Sequence, residues 1–272
     1  MDLSLAGWSI HRRFQRDRDP LALLDYPRVT TEEFGLDKAE LNSPFFAYEN
    51  DGDQAVTPFQ HGYIDELRKR ADDVGVSLVG VAIDDHGDLS AIDETERRKA
   101  VDNHRKWFEA CNVLGCGALR ANSGGEDDPR NPRRIDQCTK SFAQLAAWGG
   151  EHGVKVMIEN HWGISNYPEN LVRIVKGVNS EWFGSLPDFG NFTDDVDPYD
   201  ALTQIAPYAV FVHAKFFTFD ADGESADFDL PRILRIFDEA GYDGTWGIEY
   251  EGETDDHEGV VKSIALMKKY GD

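Results

Sequence analysis

Four acidic or imidazole side chains recur at intervals that make them candidates for one reactive centre: Glu159, Asp188, His213 and Glu249. The successive separations are 29, 25 and 36 residues. Each is close to the length of one strand-plus-helix unit. Each residue also closes a short apolar run: VKVMIENH (Val154 to His161), WFGSLPD (Trp182 to Asp188), AVFVHAK (Ala209 to Lys215) and TWGIEYE (Thr245 to Glu251). Three carboxylates and one imidazole form a donor set for a hard or borderline divalent ion. Mn²⁺ is the first expectation, with Mg²⁺, Co²⁺ or Zn²⁺ as alternatives. Without a cation, three carboxylates brought together would repel one another. Taken singly, each has a plainer explanation as a solvent-facing Glu or a hydrogen-bonded core His. Four successive strand ends carrying ligand types are what raise the set above it.

Such residues meet only if the strands that carry them are parallel neighbours. Four more apolar runs precede them: Leu3 to Ile10, Leu36 to Asn42, Val76 to Ile83 and Ala118 to Ser123. Their continuous apolar character suits strands covered on both faces of a parallel sheet. Amphipathic stretches alternate with them, clearest at Ile64 to Val74, Glu94 to Leu114, Ile135 to His152, Pro168 to Val175, Leu230 to Ala240 and Glu258 to Tyr270. Gly75, Gly115, Gly153 and Gly241 stand where helices should stop. Eight such units in 272 residues predict a single α/β domain, a (β/α)₈ TIM barrel over residues 1–272. An open doubly wound sheet is the alternative, but no Gly-x-Gly-x-x-Gly turn follows the first strand. Longer βα segments at Ser43 to Thr57, Gly124 to Asn131 and Phe219 to Asp229 read as lids over the mouth.

Other polar or aromatic residues fall at the same strand ends. Trp8, Asn122, His161 and Lys215 are expected to contact substrate. Trp8 would be an aromatic platform, and Lys215 shares a strand face with His213 two residues before it. Glu40, Asn42, Asp84, His86 and Arg120 are weaker candidates, Arg120 reading equally well as a structural ion pair. His61, His104, His152 and His257 read as surface residues.

Net charge is −23, from 32 Asp and 19 Glu against 17 Arg and 11 Lys, and the acids are spread along the chain. A diffuse acidic coat poor in Lys suits a protein of a salt-adapted (halophilic) host, where screening removes self-repulsion. It argues against a nucleic-acid partner, which needs a basic patch. No apolar run is long enough to span a membrane, and the first residues lack the pattern of a signal peptide, so a cytoplasmic location is expected. Cys111, Cys116 and Cys138 are odd in number and have no metal-knuckle or redox spacing, so they read as buried thiols.

The segments IENHWGIS (Ile158 to Ser165), LPDFGNF (Leu186 to Phe192), VHAK (Val212 to Lys215) and GIEYEG (Gly247 to Gly252) resemble the xylose-isomerase-like TIM-barrel superfamily of sugar isomerases and epimerases. The opening LAGWSIHR (Leu5 to Arg12) is similar to a subfamily described as sugar phosphate isomerase/epimerase. The resemblance implies a carbohydrate substrate, metal ligation by the same four residues, and Glu159 and Glu249 as an acid/base pair on opposite sides of it. The implied chemistry is proton abstraction next to a carbonyl through an enediolate that the ion stabilises. A lyase or dehydratase acting on a keto-sugar, keto-inositol or dehydroshikimate-like substrate would share that first step. A homo-oligomer is compatible with the resemblance. Two departures count against a simple ketohexose epimerase: Asn191 stands where those enzymes carry His, and Phe219 where they carry Arg. Asn191 is nevertheless placed with the substrate contacts. An abasic-site endonuclease, which shares the barrel, would need a three-zinc cluster with more His ligands. A non-catalytic sugar-binding protein is the remaining alternative.

Overall fold

The computed structural model describes residues 1–271. Its strands are β1 (Leu3–Ala6), β2 (Lys38–Asn42), β3 (Ser77–Ile83), β4 (Ala118–Ala121), β5 (Lys155–Glu159), β6 (Phe183–Leu186), β7 (Val212–Phe216) and β8 (Trp246–Tyr250). All seven ladders between them are parallel, and β1 pairs with both β2 and β8. The remaining seam, β6 to β7, is crossed by parallel bridges at Ser185–Ala209 and Asp188–His213. There the amide of Val210 donates to the Ser185 carbonyl at 2.9 Å, and that of His213 to the Pro187 carbonyl at 2.9 Å. These contacts close the ring into the TIM barrel that the eight apolar runs predict.

The helices Tyr63–Asp73, Pro132–His152, Pro168–Val178, Leu230–Glu239 and Asp256–Gly271 lie at the expected places. Gly75, Gly115, Gly153 and Gly241 have φ between 70° and 73°. That left-handed conformation ends a helix and turns the chain into the next strand. Three readings are corrected. The first apolar run does not stay extended to Ile10, because Gly7–Ile10 is a 3₁₀ turn. The stretch Glu94 to Leu114 is two helices, Glu94–Asn103 and Arg105–Leu114, meeting at His104. His104 is buried rather than on the surface. Short helices at Tyr26–Phe34 and Pro198–Ile205 complete the outer layer.

The main core lies between strands and helices, around Leu5, Trp107, Phe142, Leu171 and Ile248. A second, smaller cluster joins Ala118, Met157, Leu186 and Phe211. Two residues further along the same chain segments come Arg120, Glu159, Asp188 and His213. Side chains two apart share a strand face, so this apolar layer is the floor beneath the polar site. The lengthened βα segments after β2 and β7 are each pinned by an antiparallel bridge, Tyr48–Phe59 and Phe219–Ser225.

Candidate metal centre

Glu159, Asp188, His213 and Glu249 each present a donor atom within 4.8 Å of the others, and all four are buried. Donors held 2.0–2.6 Å from a shared ion would lie about 3–5 Å apart. Glu159 Oε2, Asp188 Oδ2 and Glu249 Oε2 are buried and accept no well-formed hydrogen bond among the described residues, although an Arg120 or Lys215 nitrogen lies 3.0–3.4 Å from each. Buried oxygens of this kind are costly, and a cation would satisfy them.

Local contacts aim each group. Asn160 clamps the backbone beside it: its Nδ2 donates to the Asp188 carbonyl at 2.9 Å, and its Oδ1 accepts from the Asp188 amide at 2.8 Å. The Gly190 amide donates to Asp188 Oδ1 at 2.7 Å, which leaves Oδ2 toward the cluster. On β7, His213 is buried among four acidic neighbours. Its Nε2 lies 2.8 Å from Glu40 Oε2, while Nδ1 lies 3.2 Å from both Glu159 Oε1 and Glu249 Oε2. With Nε2–H donated to Glu40, Nδ1 is the atom left to bind an ion or a proton. The ring also needs room beside β8: a Cβ on Gly247 would lie 3.1 Å from His213 Cδ2 and 2.8 Å from the Phe211 ring.

The charges are unbalanced. Glu40, Asp84, Glu159, Asp188, Glu249 and Glu251 surround two permanent cations, Arg120 and Lys215. Arg120 Nη1 donates to Asp84 Oδ1 at 2.6 Å, and its Nε lies 3.0 Å from Glu159 Oε2. Lys215 Nζ donates to Asn191 Oδ1 at 2.8 Å and lies 3.2–3.4 Å from Asp188, Glu249 and Glu251. Asn191 Nδ2 in turn donates to Glu159 Oε1 at 3.1 Å. Burial alone would raise the Glu159 pKa, but Arg120, His161 and His213 outweigh it and hold the carboxyl down to about 2. Asp188 goes the other way, pushed up to about 7 by burial and by the charges of Glu249 and Glu159, against Lys215 and His213. Burial would lower the His213 pKa, yet Glu40 and Glu249 hold it well above the ordinary imidazole value. An ion bound at Nδ1 would take the place of that proton.

Above the cluster is a cavity of about 360 Å³ lined by Trp8, Asn42, Arg120, Glu159, His161 and Glu249, among others. Of the expected substrate contacts, Trp8 and His161 line it, and His161 Nδ1 is buried without a hydrogen-bond partner among the described residues. Trp8 stacks on His11 and Phe45 with ring centroids 4.8 and 5.8 Å apart. Lys215 and Asn191 are joined to the cluster and bonded to each other rather than lining the cavity. Asn122 lines an adjoining cavity, its amide bonded to Arg120 and Asp84. Asn160 and Glu251 escaped assignment from sequence, and Glu40 was named only as a weaker candidate. The signal for Glu40 was its position closing β2, but its partner lies 173 residues away. Cys111, Cys116 and Cys138 are free and buried, and no helix among the described residues is long and apolar enough to cross a membrane.

The family described as xylose isomerase-like TIM barrel matches residues 32–270. A 72-residue stretch is 38% identical to the C-glycoside deglycosidase alpha subunit of Arthrobacter globiformis, covering 26% of this chain and 20% of that relative. In three dimensions the chain is similar to a D-tagatose 3-epimerase-like protein, with TM-score 0.74, 18% identity, and 99% and 97% of the two chains covered. It is similar too to the IOLI protein with a bound zinc atom, with TM-score 0.76, 15% identity and 99% of each chain covered. Sugar 3-epimerases recur among the structures of the same fold.

Proposed function

The chain belongs to the xylose isomerase-like TIM-barrel family, and from that premise we propose that it is a divalent-metal-dependent isomerase or epimerase of a small carbohydrate. The observation that carries this reading is the buried set of three carboxylates and one imidazole with donor atoms within 4.8 Å. Glu159, Asp188, His213 and Glu249 would hold one ion, Mn²⁺ first and Mg²⁺, Co²⁺ or Zn²⁺ as alternatives. When bound, it supplies Lewis-acid stabilisation of negative charge developing on substrate oxygens.

The chain's own residues do the rest. Glu159 and Glu249 are the proton-transfer pair, one taking the proton from the carbon beside the carbonyl and the other returning one. The Arg120 guanidinium beside Glu159 favours its ionised, basic form. Lys215, 3.2 Å from Glu249 and bonded to Asn191, steadies the anionic wall. Trp8 and His161 position the sugar within the cavity.

The stretch of likeness to a C-glycoside deglycosidase subunit favours a second reading, elimination from a keto-sugar on the same residues. Both readings begin with loss of the same proton. Ion-loaded protein incubated with keto-sugars in D₂O should place deuterium on the carbon beside the carbonyl. Growth of an ultraviolet-absorbing conjugated carbonyl would mark elimination. A substrate converted with no deuterium uptake would contradict proton abstraction in either form.

A further inference from the structure

A second cavity, of about 370 Å³, adjoins the one above the cluster. The two share Asp85 and Trp162 as lining residues. The loops after β3 and β4 form its walls, and His86, His104, Asn122 and Glu126 face it. Together the cavities far exceed what a single monosaccharide fills. Trp162 is 36% exposed at the junction, with its face against His161 at a centroid distance of 3.8 Å. A partly exposed indole is a ready platform for a sugar or aromatic ring. Asp85, the other shared residue, has φ of 58°, a conformation that side-chain-bearing residues adopt at a cost.

Charge narrows the occupant. Asp85, Asp88, Glu126 and Asp127 line the second cavity, and no Lys or Arg does. Asp88 and Asp127 are paired with Arg134, at 2.8 Å each. His86 and His104 add no positive charge, since burial lowers both pKa values. The one cation lining the first cavity, Arg120, is held by Asp84 and Glu159. A phosphate would meet carboxylates, and the one permanent cation lining either cavity is already held by two of them.

We propose that the substrate is an unphosphorylated two-part glycoside, with a keto-sugar ring over the carboxylate cluster and a second, hydroxyl-bearing ring on Trp162 in the adjoining cavity. This rests on the keto-sugar reading of the cluster and holds for isomerisation and elimination alike. A glycoside has its anomeric carbon substituted, so the carbonyl must lie elsewhere on the ring.

Three probes test it with Mn²⁺-loaded protein: 3-keto-D-glucose, its 6-phosphate, and the 4-hydroxyphenyl β-glycoside of 3-keto-D-glucose. The glycoside should bind at least about tenfold more tightly than the free keto-sugar, and the phosphate more weakly than either. Trp162→Ala, and separately Glu126→Trp to fill the second cavity, should each bring the glycoside-to-free-sugar affinity ratio toward one. Deuterium exchange with the free keto-sugar but no preference for the glycoside, or a preference that both variants keep, would overturn the extended site alone. Tighter binding of the phosphate would do the same. Absence of exchange with all three probes would overturn the keto-sugar reading, and the proposal with it.

Discussion

Replacing Glu40 tests whether the imidazole is built to bind an ion through Nδ1. The Glu40 carboxylate accepts from His213 Nε2 at 2.8 Å, and both side chains are almost wholly buried. A bond of this kind fixes ring orientation and tautomer and makes Nδ1 a better donor. Loss of such a partner typically weakens metal binding 10–100-fold, about 1.4–2.8 kcal/mol. Glu40→Leu removes the acceptor and leaves a buried N–H unpaired, so it should fall at the upper end. Glu40→Gln can still accept through its amide oxygen and should fall at the lower end. Titration of chelator-stripped protein with Mn²⁺, followed by calorimetry, would give both constants, with circular dichroism checking that each variant is folded. Removing Glu40 also takes a charge out of a crowded acidic centre, which relieves repulsion in the ion-free protein. That gain should appear in the thermal stability of the ion-free protein and add to the loss of affinity. A folded Glu40→Leu variant that binds Mn²⁺ as tightly as wild type would refute the reasoning.

Three further outcomes are expected. Glu249→Gln keeps shape and one oxygen donor but no basic carboxylate, so turnover of a keto-sugar should fall at least ~10²-fold while much of the metal is retained; normal turnover with metal bound would exclude the two-glutamate mechanism. Buried His104 is held neutral, its pKa lowered to about 3 by burial and by nearby His86. Its contribution is complete above about pH 6.5, the unfolded value, and is lost as pH falls toward 3, amounting to about 2 kcal/mol at pH 5. Urea unfolding between pH 7 and pH 5 should therefore show a shallower acid loss in His104→Gln than in wild type, and equal slopes would remove His104 as the cause. With net charge −23, melting temperature should drop on transfer from molar KCl to dilute buffer; an unchanged value would mean that the acidic coat is not a salt adaptation.

The barrel was legible because parallel strands covered on both faces must be apolar along their length, and helix stops need glycine. Boundaries were less so. Gly7–Ile10 is as apolar as β1 but turns, since Ser9 accepts from the Tyr250 amide and donates to the Ile248 carbonyl, tying the turn to β8. His104 hides the break between two helices because nothing in its type announces one. The four clustered donors could be picked out because they follow the strand repeat and need only the barrel to converge. Glu40 stood out only as a strand-end polar residue, since its pairing with His213 depends on a distance across the ring rather than on any local pattern. Asn122 lines the adjoining cavity, but its bonds to Arg120 and Asp84 could not be read from its position at a strand end.

The central claim is that one divalent ion is held by Glu159, Asp188, His213 and Glu249. Chelator-stripped protein equilibrated with Mn²⁺ and freed of excess should carry about one ion per chain by elemental analysis. His213→Leu and Asp188→Asn, both folded, should carry far less. Wild-type protein that takes up no ion, or variants that bind it as wild type does, would contradict the account.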